Sequence, residues 1–445
     1  MSPAARDPAQ RLGAGAMGMV GAQLSARLTP GAPEPVTIAL SGGGDSLALL
    51  LMAHEWSAAF GRRLVAVTVD HGLHPHSAGW ARACAARCAA LDIDHRTVRW
   101  TRPKPSTGLA AAARQARHRL LAEAARQIGA QVILLGHTAD DVQEAAWMRE
   151  SGARTPSPRA WSPSPVWPEG RGIFLLRPLL GVRRGDLRDW LAARSEAWID
   201  DPANDDPRHL RARARTALAS GLAVRSAPGC TGTSPEAAVG RAIPSCVGPA
   251  GEIRVATPDL LGAGPAALAW LSGAVVCAGG GERIPPRRAL QRVLDLARQG
   301  ERFSATVGRT RLLGDRESLL LVRTARDRRS AMPPPIGLSP GQNLVWDGRF
   351  EVCATAPGLR LAAMQGLAGR LARADRRALR DVPAAARPSL PVLISASGEV
   401  ACPRLTPAPE VWLRPLAPAR LAAHLGDVQN ESRLAAWRNQ TARPK

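Results

Sequence analysis

Aromatic residues are scarce in this sequence: there is no tyrosine and only four phenylalanines, and aromatics make up 4% of the 445 residues. This scarcity argues against a protein that holds single-stranded nucleic acid by stacking bases on aromatic side chains. The chain also lacks an apolar run of roughly 18 residues, the length that predicts a membrane-spanning helix. Residues 1–30 contain no compact apolar stretch before a cleavage site, which predicts a flexible tail rather than a signal peptide. We therefore expect a cytoplasmic protein with no membrane partner.

Cysteine pairs of the metal-binding kind are also missing. The seven cysteines form no C-x-x-C motif, whereas zinc and iron–sulfur sites are typically built from closely spaced, repeated pairs. Cys84 and Cys88 lie four residues apart on one face of a predicted helix, where cysteine usually packs as a small hydrophobic residue. The sequence therefore predicts no cysteine metal site.

Positive charge is abundant. The chain has 59 lysine and arginine residues against 37 acidic residues, which gives a formal net charge of +22 and a pI of about 11.4. Only Lys104 and Lys445 are lysines, a ratio that a GC-rich genome explains without any function. The net charge itself favours binding to a polyanion, and nucleic acid is the commonest one in a cell. A basic protein with no such partner is the alternative.

Residues 31–216 alternate short apolar strands with helical patterns. The strands are predicted at residues 36–40, 64–69, 95–100 and 132–135. The helices are predicted at residues 46–60, 77–91, 108–128 and from 139 onwards. Largely apolar strands separated by helices are typical of a parallel sheet covered on both faces. We predict a doubly wound α/β domain, in which ligands bind beyond the carboxyl ends of the strands.

The rest of the chain divides by composition. Residues 151–172 contain five prolines among serines and tryptophans and are predicted to form a long loop. Residues 217–250, rich in alanine, glycine, serine and proline, are predicted to be a linker. Residues 251–330 are predicted to be helix-rich and residues 331–445 to form a mixed α/β region. Both regions carry arginine-rich stretches that suit a polyanion.

The strongest local signal is the segment Ser41-Gly-Gly-Gly-Asp-Ser46, which lies between the first predicted strand and the next helix. Gly42, Gly43 and Gly44 allow a tight turn and a close approach of backbone to ligand. The helix start offers unpaired N–H groups and a positive dipole end, and the two serines add hydroxyl donors. The segment lacks the lysine of the Walker A motif and does not fit G-x-G-x-x-G. It predicts a phosphate-binding loop, with an ordinary glycine-rich turn as the alternative.

Polar residues also follow the second and fourth strands. Asp70 and His71 follow the second strand, and Asp140 and Asp141 begin the helix after the fourth. Because parallel strands bring their carboxyl ends to one edge of the sheet, these residues are expected to lie near the glycine-rich segment. The alternative is that they only end a strand or stabilise a helix N-terminus through its dipole.

The glycine-rich segment resembles the S-G-G-x-D-S loop of the PP-loop ATP pyrophosphatases, which cleave ATP to AMP and pyrophosphate. Five further segments, in order along the chain, resemble motifs of one family in that superfamily, the tRNA(Ile)-lysidine synthetases. These segments are Val69-Asp-His-Gly-Leu73, Thr107 to Arg119, Gly136 to Asp141, Arg177-Pro-Leu-Leu180, and Asp201-Pro-Ala-Asn204 through Arg215.

The resemblance implies a PP-loop domain with ATP and Mg²⁺ as cofactors. By that resemblance, the segment from Ser41 to Ser46 binds the pyrophosphate end of ATP, and Asp45 helps to hold Mg²⁺. One of Arg114 and Arg117 offsets charge at the α-phosphate; solvated helix surface is the alternative for both. One of Asp140 and Asp141 binds the ammonium group of lysine or the metal.

The family's partners are an isoleucine tRNA with a CAU anticodon and free lysine, which is joined to carbon 2 of the wobble cytosine through an adenylated base. The basic regions after residue 217 are expected to contact tRNA phosphates. The sequence does not identify the base that removes the lysine proton, and it does not fix the oligomeric state, for which a homodimer is one option. Three alternatives stay open: a PP-loop tRNA thiolase, a small-molecule synthetase of the amidotransferase type, and a non-catalytic RNA-binding protein.

Three features depart from the family pattern. His74 stands where the family usually has arginine, and His118 stands where it has tyrosine. The proline-rich residues 151–172 replace a glycine-rich stretch, and we predict that Trp161 or Trp167 stacks there on an exposed tRNA base. A surface insertion with no role is the alternative.

Overall fold

The computed structural model describes residues 16–153, 155–201, 206, 208–220, 243–324 and 331–434. These residues form two compact units. Unit 1 takes the described residues up to 220 together with residues 428–434, and unit 2 takes residues 243–427.

Unit 1 contains a six-stranded sheet. Its strands are β1 (Val36–Ala39), β2 (Leu64–Asp70), β3 (Asp94–Arg99), β4 (Val132–Leu134), β5 (Trp161–Pro163) and β6 (Phe174–Leu176). The order across the sheet is β3-β2-β1-β4-β6-β5, and all pairs are parallel except β5 with β6. Ile38 in β1, Val65 in β2 and Leu134 in β4 are all buried, as strands covered on both faces require. The predicted parallel α/β sheet is confirmed.

Seven helices are described in unit 1. They are α1 (Ala16–Arg27), α2 (Gly44–Ala59), α3 (Ser77–Ala90), α4 (Leu109–Ile128), α5 (Ala139–Glu150), α6 (Arg184–Ala192) and α7 (Leu210–Ala219). Helix α1 corrects the predicted flexible tail for residues 16–27. Val20 and Leu24, one helical turn apart, are fully buried, and Ser25 accepts a 2.9 Å hydrogen bond from the indole N–H of Trp56 on α2. Packing of this apolar face against α2 stabilises a helix that would be marginal alone.

Strand β5 lies inside the segment that was predicted to be a loop. Trp161 pairs with Leu176 in the sheet, and its ring stacks on Phe174 with ring centroids 5.1 Å apart. Its indole N–H donates a 2.7 Å hydrogen bond to the carbonyl of Val428. These contacts use one face of the ring and the N–H, so they favour a structural role for Trp161 within unit 1. The stacking of Trp161 or Trp167 on a tRNA base stays a prediction.

Residues 428–434, here called the C-terminal strap, return to unit 1 from far along the chain. Glu431 accepts hydrogen bonds from both terminal nitrogens of Arg62, at 2.7 and 2.9 Å, and from the backbone N–H of Thr29 at 2.7 Å. The side chain of Arg62 is 0% exposed and that of Glu431 is 6% exposed. A buried guanidinium needs such a partner, because an unpaired buried charge is strongly destabilising.

Unit 2 is built from short antiparallel sheets and helices. Its described strands are β7 (Ser245–Val247), β8 (Ile253–Ala256), β9 (Phe303–Val307), β10 (Thr310–Gly314), β11 (Ser318–Arg323), β12 (Ile336–Gly337), β13 (Asn343–Trp346), β14 (Phe350–Ala354), β15 (Arg360–Ala363), β16 (Pro391–Ile394), β17 (Val400–Ala401) and β18 (Val411–Pro415). Its described helices are α8 (Thr257–Gly262), α9 (Pro265–Gly279), α10 (Arg287–Gln299), α11 (Arg373–Ala378) and α12 (Ala417–Leu425). The strand orders are β7-β8-β11-β10-β9, β12-β15-β16-β17 and β13-β14-β18. Across the parts of the chain that the structure describes, no helix is both long enough and apolar enough to span a membrane.

The structure differs from the predicted division at residue 330. Leu421 on α12 packs in the same buried cluster as Trp270 and Leu271 on α9, so an element from the predicted last region completes the core of the preceding one. The predicted linker also contains structure at its two ends, since α7 extends to Ala219 and β7 begins at Ser245. Residues 221–242 of that linker lie outside the described residues.

A buried charge network joins the two halves of unit 2. Asp347, in the turn between β13 and β14, contacts the guanidinium groups of Arg309, Arg323 and Arg349. Its Oδ2 lies 3.0 Å from Nε of Arg323 and 2.8 Å from Nε of Arg349, and these three side chains are 0% exposed. One carboxylate is therefore the shared ion-pair partner of two fully buried arginines and of a third that is partly exposed.

We expect Asp347→Asn to destabilise unit 2 by about 3–5 kcal/mol, because removing one partner of a buried ion pair leaves the other uncompensated. Asparagine tolerates the positive φ of 49° at this position, so the loss should come from charge rather than backbone. The measurement is the free energy of unfolding in urea. Asp295→Asn is the matched control, since Asp295 pairs with Arg298 at the surface, and it should cost less than about 1 kcal/mol. Equal effects of the two substitutions would contradict the prediction.

Candidate functional site

The glycine-rich segment from Ser41 to Ser46 forms the turn between β1 and α2. Ser46 Oγ donates a hydrogen bond to the carbonyl of Gly43 at 2.9 Å and lies 3.0 Å from Ser41 Oγ, which ties the turn to the first turn of α2. Gly42 has a φ of 85°, and a Cβ added there would lie 2.5 Å from Cδ1 of Ile199. Helix α2 begins at Gly44, where the first N–H groups lack partners inside the helix. The segment thus forms the predicted turn between strand and helix, and a helix N-terminus of this kind suits an anion. Its role in phosphate binding stays a prediction.

The turn after β4 lies directly against this segment. The chain builds the sheet outward from β1 through β2 to β3 and then returns to β4 on the other side of β1. This reversal between β1 and β4 is the switch point at which doubly wound sheets bind ligands. A Cβ added to Gly136, just after β4, would lie 3.0 Å from the carbonyl oxygen of Asp45 and 3.1 Å from the nitrogen of Ser46. The two predicted motifs are therefore brought into contact.

Three carboxylates converge on Arg184, the first residue of α6. Its Nε lies 3.0 Å from Oδ2 of Asp45, its Nη1 lies 3.1 Å from Oε1 of Glu144, and its Nη2 lies 3.6 Å from Oδ2 of Asp141. Its backbone N–H donates a 2.7 Å hydrogen bond to Oδ2 of Asp140. Burial raises the pKa of Asp45, and the charge and hydrogen bond of Arg184 oppose that rise. One arginine thus contacts the glycine-rich loop and the acidic start of α5 together.

Two arginines of α7 complete this cluster. Arg215 Nε lies 2.8 Å from Oε1 of Glu144, and Arg211 Nε lies 3.1 Å from its Oε2. Arg211 also reaches Oδ1 of Asp141 at 3.5 Å. Glu144 is only 1% exposed, so its charge requires these partners. Glu144 was not selected from the sequence, although it lies one helical turn after Asp140 and Asp141, and that spacing could have identified it.

Asp141 also has a structural role. Its Oδ2 accepts hydrogen bonds from the backbone N–H and the hydroxyl of Thr138, at 2.9 and 3.2 Å, in a capping box at the start of α5. Burial opposes ionisation, but the neighbouring His137, Arg211 and Arg184 hold the pKa of Asp141 below its ordinary value. The helix-capping alternative therefore holds for this carboxylate, and its assignment to lysine or metal stays a proposal.

Positive charge is in surplus beside the carboxylates. Burial and then the charge of Arg114 lower the pKa of Arg117 to about 10, and burial followed by Arg114 and Arg159 lowers that of Arg177 to about 10. Arg114 is exposed and Arg117 half-buried on α4, so the surface alternative fits Arg114 better than Arg117. Partial desolvation and then the charge of Arg211 lower the pKa of Arg114, whereas Asp141 raises it. Like charges that lower one another's pKa are not fully neutralised by the protein. An anion such as a phosphate group would be attracted to this region.

The other predicted segments have local partners. Asp70 accepts a 2.8 Å hydrogen bond from the backbone N–H of Gly72 and lies 3.1 Å from Arg99, as the strand-ending alternative predicts. Asp206 pairs with the exposed Arg208. The positions 202–205 of the D-P-x-N motif lie outside the described residues.

His118, which departs from the family pattern, is buried at 4% exposure on α4. Among the described residues, neither of its ring nitrogens has a hydrogen-bond partner. Burial, followed by the charges of Arg117, Arg114 and Arg177 and the neighbouring His137, lowers the pKa of His118 to about 2. The ring is therefore neutral at pH 7.

The carboxylate oxygens at this edge of the sheet in unit 1 are the type of ligand that Mg²⁺ prefers. In the described part of the chain, no three histidine, cysteine or acidic side chains are grouped so as to hold a metal ion by themselves. Mg²⁺ is commonly bound by one or two carboxylates together with substrate phosphates and water. Asp45, beside the anion-binding turn, fits that smaller contribution.

Gly136→Ala should weaken ATP binding about ten-fold or more, because the new methyl group would push the backbone of Asp45 and Ser46 out of position. The measurement is the dissociation constant for ATP by calorimetry. Gly181→Ala is the control, since a Cβ there meets nothing within 4 Å. Unchanged ATP affinity in Gly136→Ala would show that the contact between the two turns is not required.

A second prediction concerns the pH dependence of stability. Below the unfolded-state pKa of about 6.5, the unfolded chain gains a proton at His118 that the native protein does not, so stability falls as the pH falls. At pH 5 this histidine should cost about 2 kcal/mol relative to pH 7. His118→Phe should therefore reduce the loss of unfolding free energy between pH 7 and pH 5, while the exposed control His76→Phe should not. The same pH dependence in both variants would contradict the burial of a neutral ring.

Comparisons with known proteins identify the family of the chain. Residues 20–222 match the family model described as a PP-loop domain. The chain is 42% identical over 421 residues to the tRNA(Ile)-lysidine synthase of Caulobacter vibrioides, and the match covers 93% of this chain and 98% of that protein. The corresponding protein of Rhizobium meliloti is 36% identical, with 74% and 76% covered. That of Mesorhizobium japonicum is 35% identical, with 87% and 91% covered. Because the first of these matches extends along nearly the whole of both proteins, the chain belongs to the tRNA(Ile)-lysidine synthase family.

Proposed function

We propose that this protein is an ATP-dependent ligase that joins lysine to carbon 2 of the wobble cytidine of an isoleucine tRNA with a CAU anticodon. The observation that carries the proposal is the juxtaposition at the switch point of the sheet. There the anion-binding turn before α2 meets a carboxylate cluster and a surplus of arginine. A reaction that uses a triphosphate, a cationic amine and a polyanionic RNA needs all three kinds of group. We expect it to act in the cytoplasm, where tRNA is found.

In the first step, oxygen 2 of the cytosine attacks the α-phosphorus of ATP, and pyrophosphate leaves. The turn from Ser41 to Ser46 would bind the departing pyrophosphate through backbone N–H groups and hydroxyls. Mg²⁺, held in part by Asp45, would supply charge neutralisation for the phosphates. Arg114 and Arg117 would stabilise the charge that develops around the α-phosphate, since their own charges are not fully compensated.

In the second step, the ε-amino group of lysine attacks carbon 2 of the adenylated base, and AMP leaves. Asp140 and Asp141 are proposed to bind the ammonium form of lysine or the metal, and Glu144 is a third carboxylate within the same cluster. The lysine nitrogen must lose a proton before it attacks, and a base for this step is not assigned. Positioning of the two substrates accounts for much of the expected rate enhancement.

Binding of tRNA is proposed to involve exposed arginines of unit 2. Those on and around α11 are Arg370, Arg373, Arg376, Arg377 and Arg380. Asp375 on the same helix is buried and accepts hydrogen bonds from the backbone of Cys402 and the hydroxyl of Thr406, which fixes the helix in place. Contacts of this type would bind phosphates without reading the base sequence.

The described cysteines favour this proposal over a tRNA thiolase. Burial raises the pKa of Cys88 to about 11 and that of Cys402 to about 12, so both stay protonated and unreactive at neutral pH. Within the described part of the chain only Cys246 is an exposed cysteine. Cys230 lies outside it.

The test is transfer of labelled lysine to bulk tRNA in the presence of ATP. The wild-type protein should place label in RNA, whereas Asp45→Ala should lose at least about 100-fold in rate, since it removes a group acting on the transition-state charge. Binding of tRNA, measured by filter retention, should be unchanged because the arginines of unit 2 remain. Pyrophosphate release should fall in parallel with lysine transfer.

Two outcomes would overturn the proposal. Absence of lysine transfer by the wild-type protein with bulk tRNA would refute the activity. Full transfer by Asp45→Ala would refute the role given to that residue while leaving the activity in place.

A further inference from the structure

The proposed reaction gives no role to Arg184, although this side chain contacts three carboxylates of the site. Its side chain is 17% exposed, and its guanidinium lies between Asp45 on α2 and the carboxylates of Asp141 and Glu144 on α5. The proposed reaction assigns a metal ion to Asp45 and a metal ion or an ammonium group to Asp141. In the substrate-free protein the cation that contacts all three is therefore the protein's own.

We propose that Arg184 is an internal counter-ion, which holds Asp45 in the substrate-free protein and gives it up when the metal that accompanies ATP arrives. This inference rests on the proposed function, because it assumes that Asp45 receives a metal ion. Arg184 is a positioning residue in this scheme, since it acts on substrate through Asp45.

The geometry indicates that a metal ion would replace the guanidinium of Arg184 at Asp45, rather than bind to Asp45 beside it. Arg184 Nε is 3.0 Å from Oδ2 of Asp45, so that oxygen is already used as a hydrogen-bond acceptor. A guanidinium and a metal ion at the same carboxylate would repel each other in a partly buried site. If Arg184 releases Asp45, it still has Glu144 at 3.1 Å and Asp141 at 3.6 Å as partners. The displaced guanidinium thus keeps compensation for its charge.

The main chain of Arg184 is fixed independently of its side chain. Its backbone N–H donates to Asp140 at 2.7 Å, which satisfies an N–H at the start of α6. Leu187 and Leu191 on the same helix are fully buried. A substitution at Arg184 should therefore leave the helix in place and change mainly the charge beside Asp45.

The experiment measures the Mg²⁺ concentration that gives half-maximal binding of ATP to the full-length protein, by calorimetry and without tRNA or lysine. In Arg184→Met this concentration should fall about ten-fold, because a competing unit charge has been removed from a partly buried site. Arg184→Lys should give an intermediate value, since an ammonium keeps the charge but cannot reach three carboxylates at once.

Arg188→Met is the matched control. Arg188 lies one turn further along α6, is exposed, and pairs with Asp200 at 3.6 Å, so its loss should leave the Mg²⁺ requirement unchanged. If Arg184→Met unfolds, as judged by circular dichroism, the Mg²⁺ requirement of Arg184→Lys compared with that of the wild type still shows whether Arg184 competes with the metal ion.

An unchanged or higher Mg²⁺ requirement in the Arg184 variants would overturn the inference. ATP binding that is weakened equally at every Mg²⁺ concentration would also overturn it, by showing that Arg184 contacts the phosphates themselves. These results are distinct from a failure of the proposed function, in which the wild-type protein would transfer no lysine to tRNA.

Discussion

The functional site depends on one constraint: the chain adds strands first on one side of β1 and then on the other. Strand β1 is buried between β2 and β4, and the chain leaves it in one direction and returns on the other side. The turns after β1 and β4 must therefore share one space, and a Cβ at Gly136 would press on the backbone of Asp45 and Ser46 at 3.0–3.1 Å. The carboxylates assigned to ATP or lysine, Asp45, Asp140 and Asp141, lie on α2 and α5, the two helices that begin at this contact.

The second general feature of the structure is the pairing of buried carboxylates with arginines. Glu144 in unit 1 and Asp347 in unit 2 are both buried carboxylates that contact three arginines each. A guanidinium presents several donors in a fixed plane, so it can bridge several acceptors where an ammonium group offers one point of charge. A sequence with only two lysines has built both networks from arginine.

Sequence reasoning identified the parts of the fold that are encoded locally. The apolar strands, the helices between them and the turn at Ser41–Ser46 are all carried by patterns within about ten residues, and the structure has them. Arg184 was missed because its importance comes from contacts with α2 and α5 that no local pattern encodes, whereas Glu144 lies one helical turn after Asp140 and Asp141, which is a local signal. The structural role of Trp161 was missed because its partners, Phe174 and Val428, could not be known from the surrounding prolines.

The C-terminal strap has a consequence for the order in which the protein matures. Arg62 and Glu431 are separated by 369 positions, and all of unit 2 lies between the second half of unit 1 and the strap. During synthesis, the sheet of unit 1 leaves the ribosome with a guanidinium that has no carboxylate to meet until unit 2 has been translated. Unit 1 therefore reaches its final stability only after unit 2 has been made, so that a chain truncated within unit 2 lacks this buried ion pair.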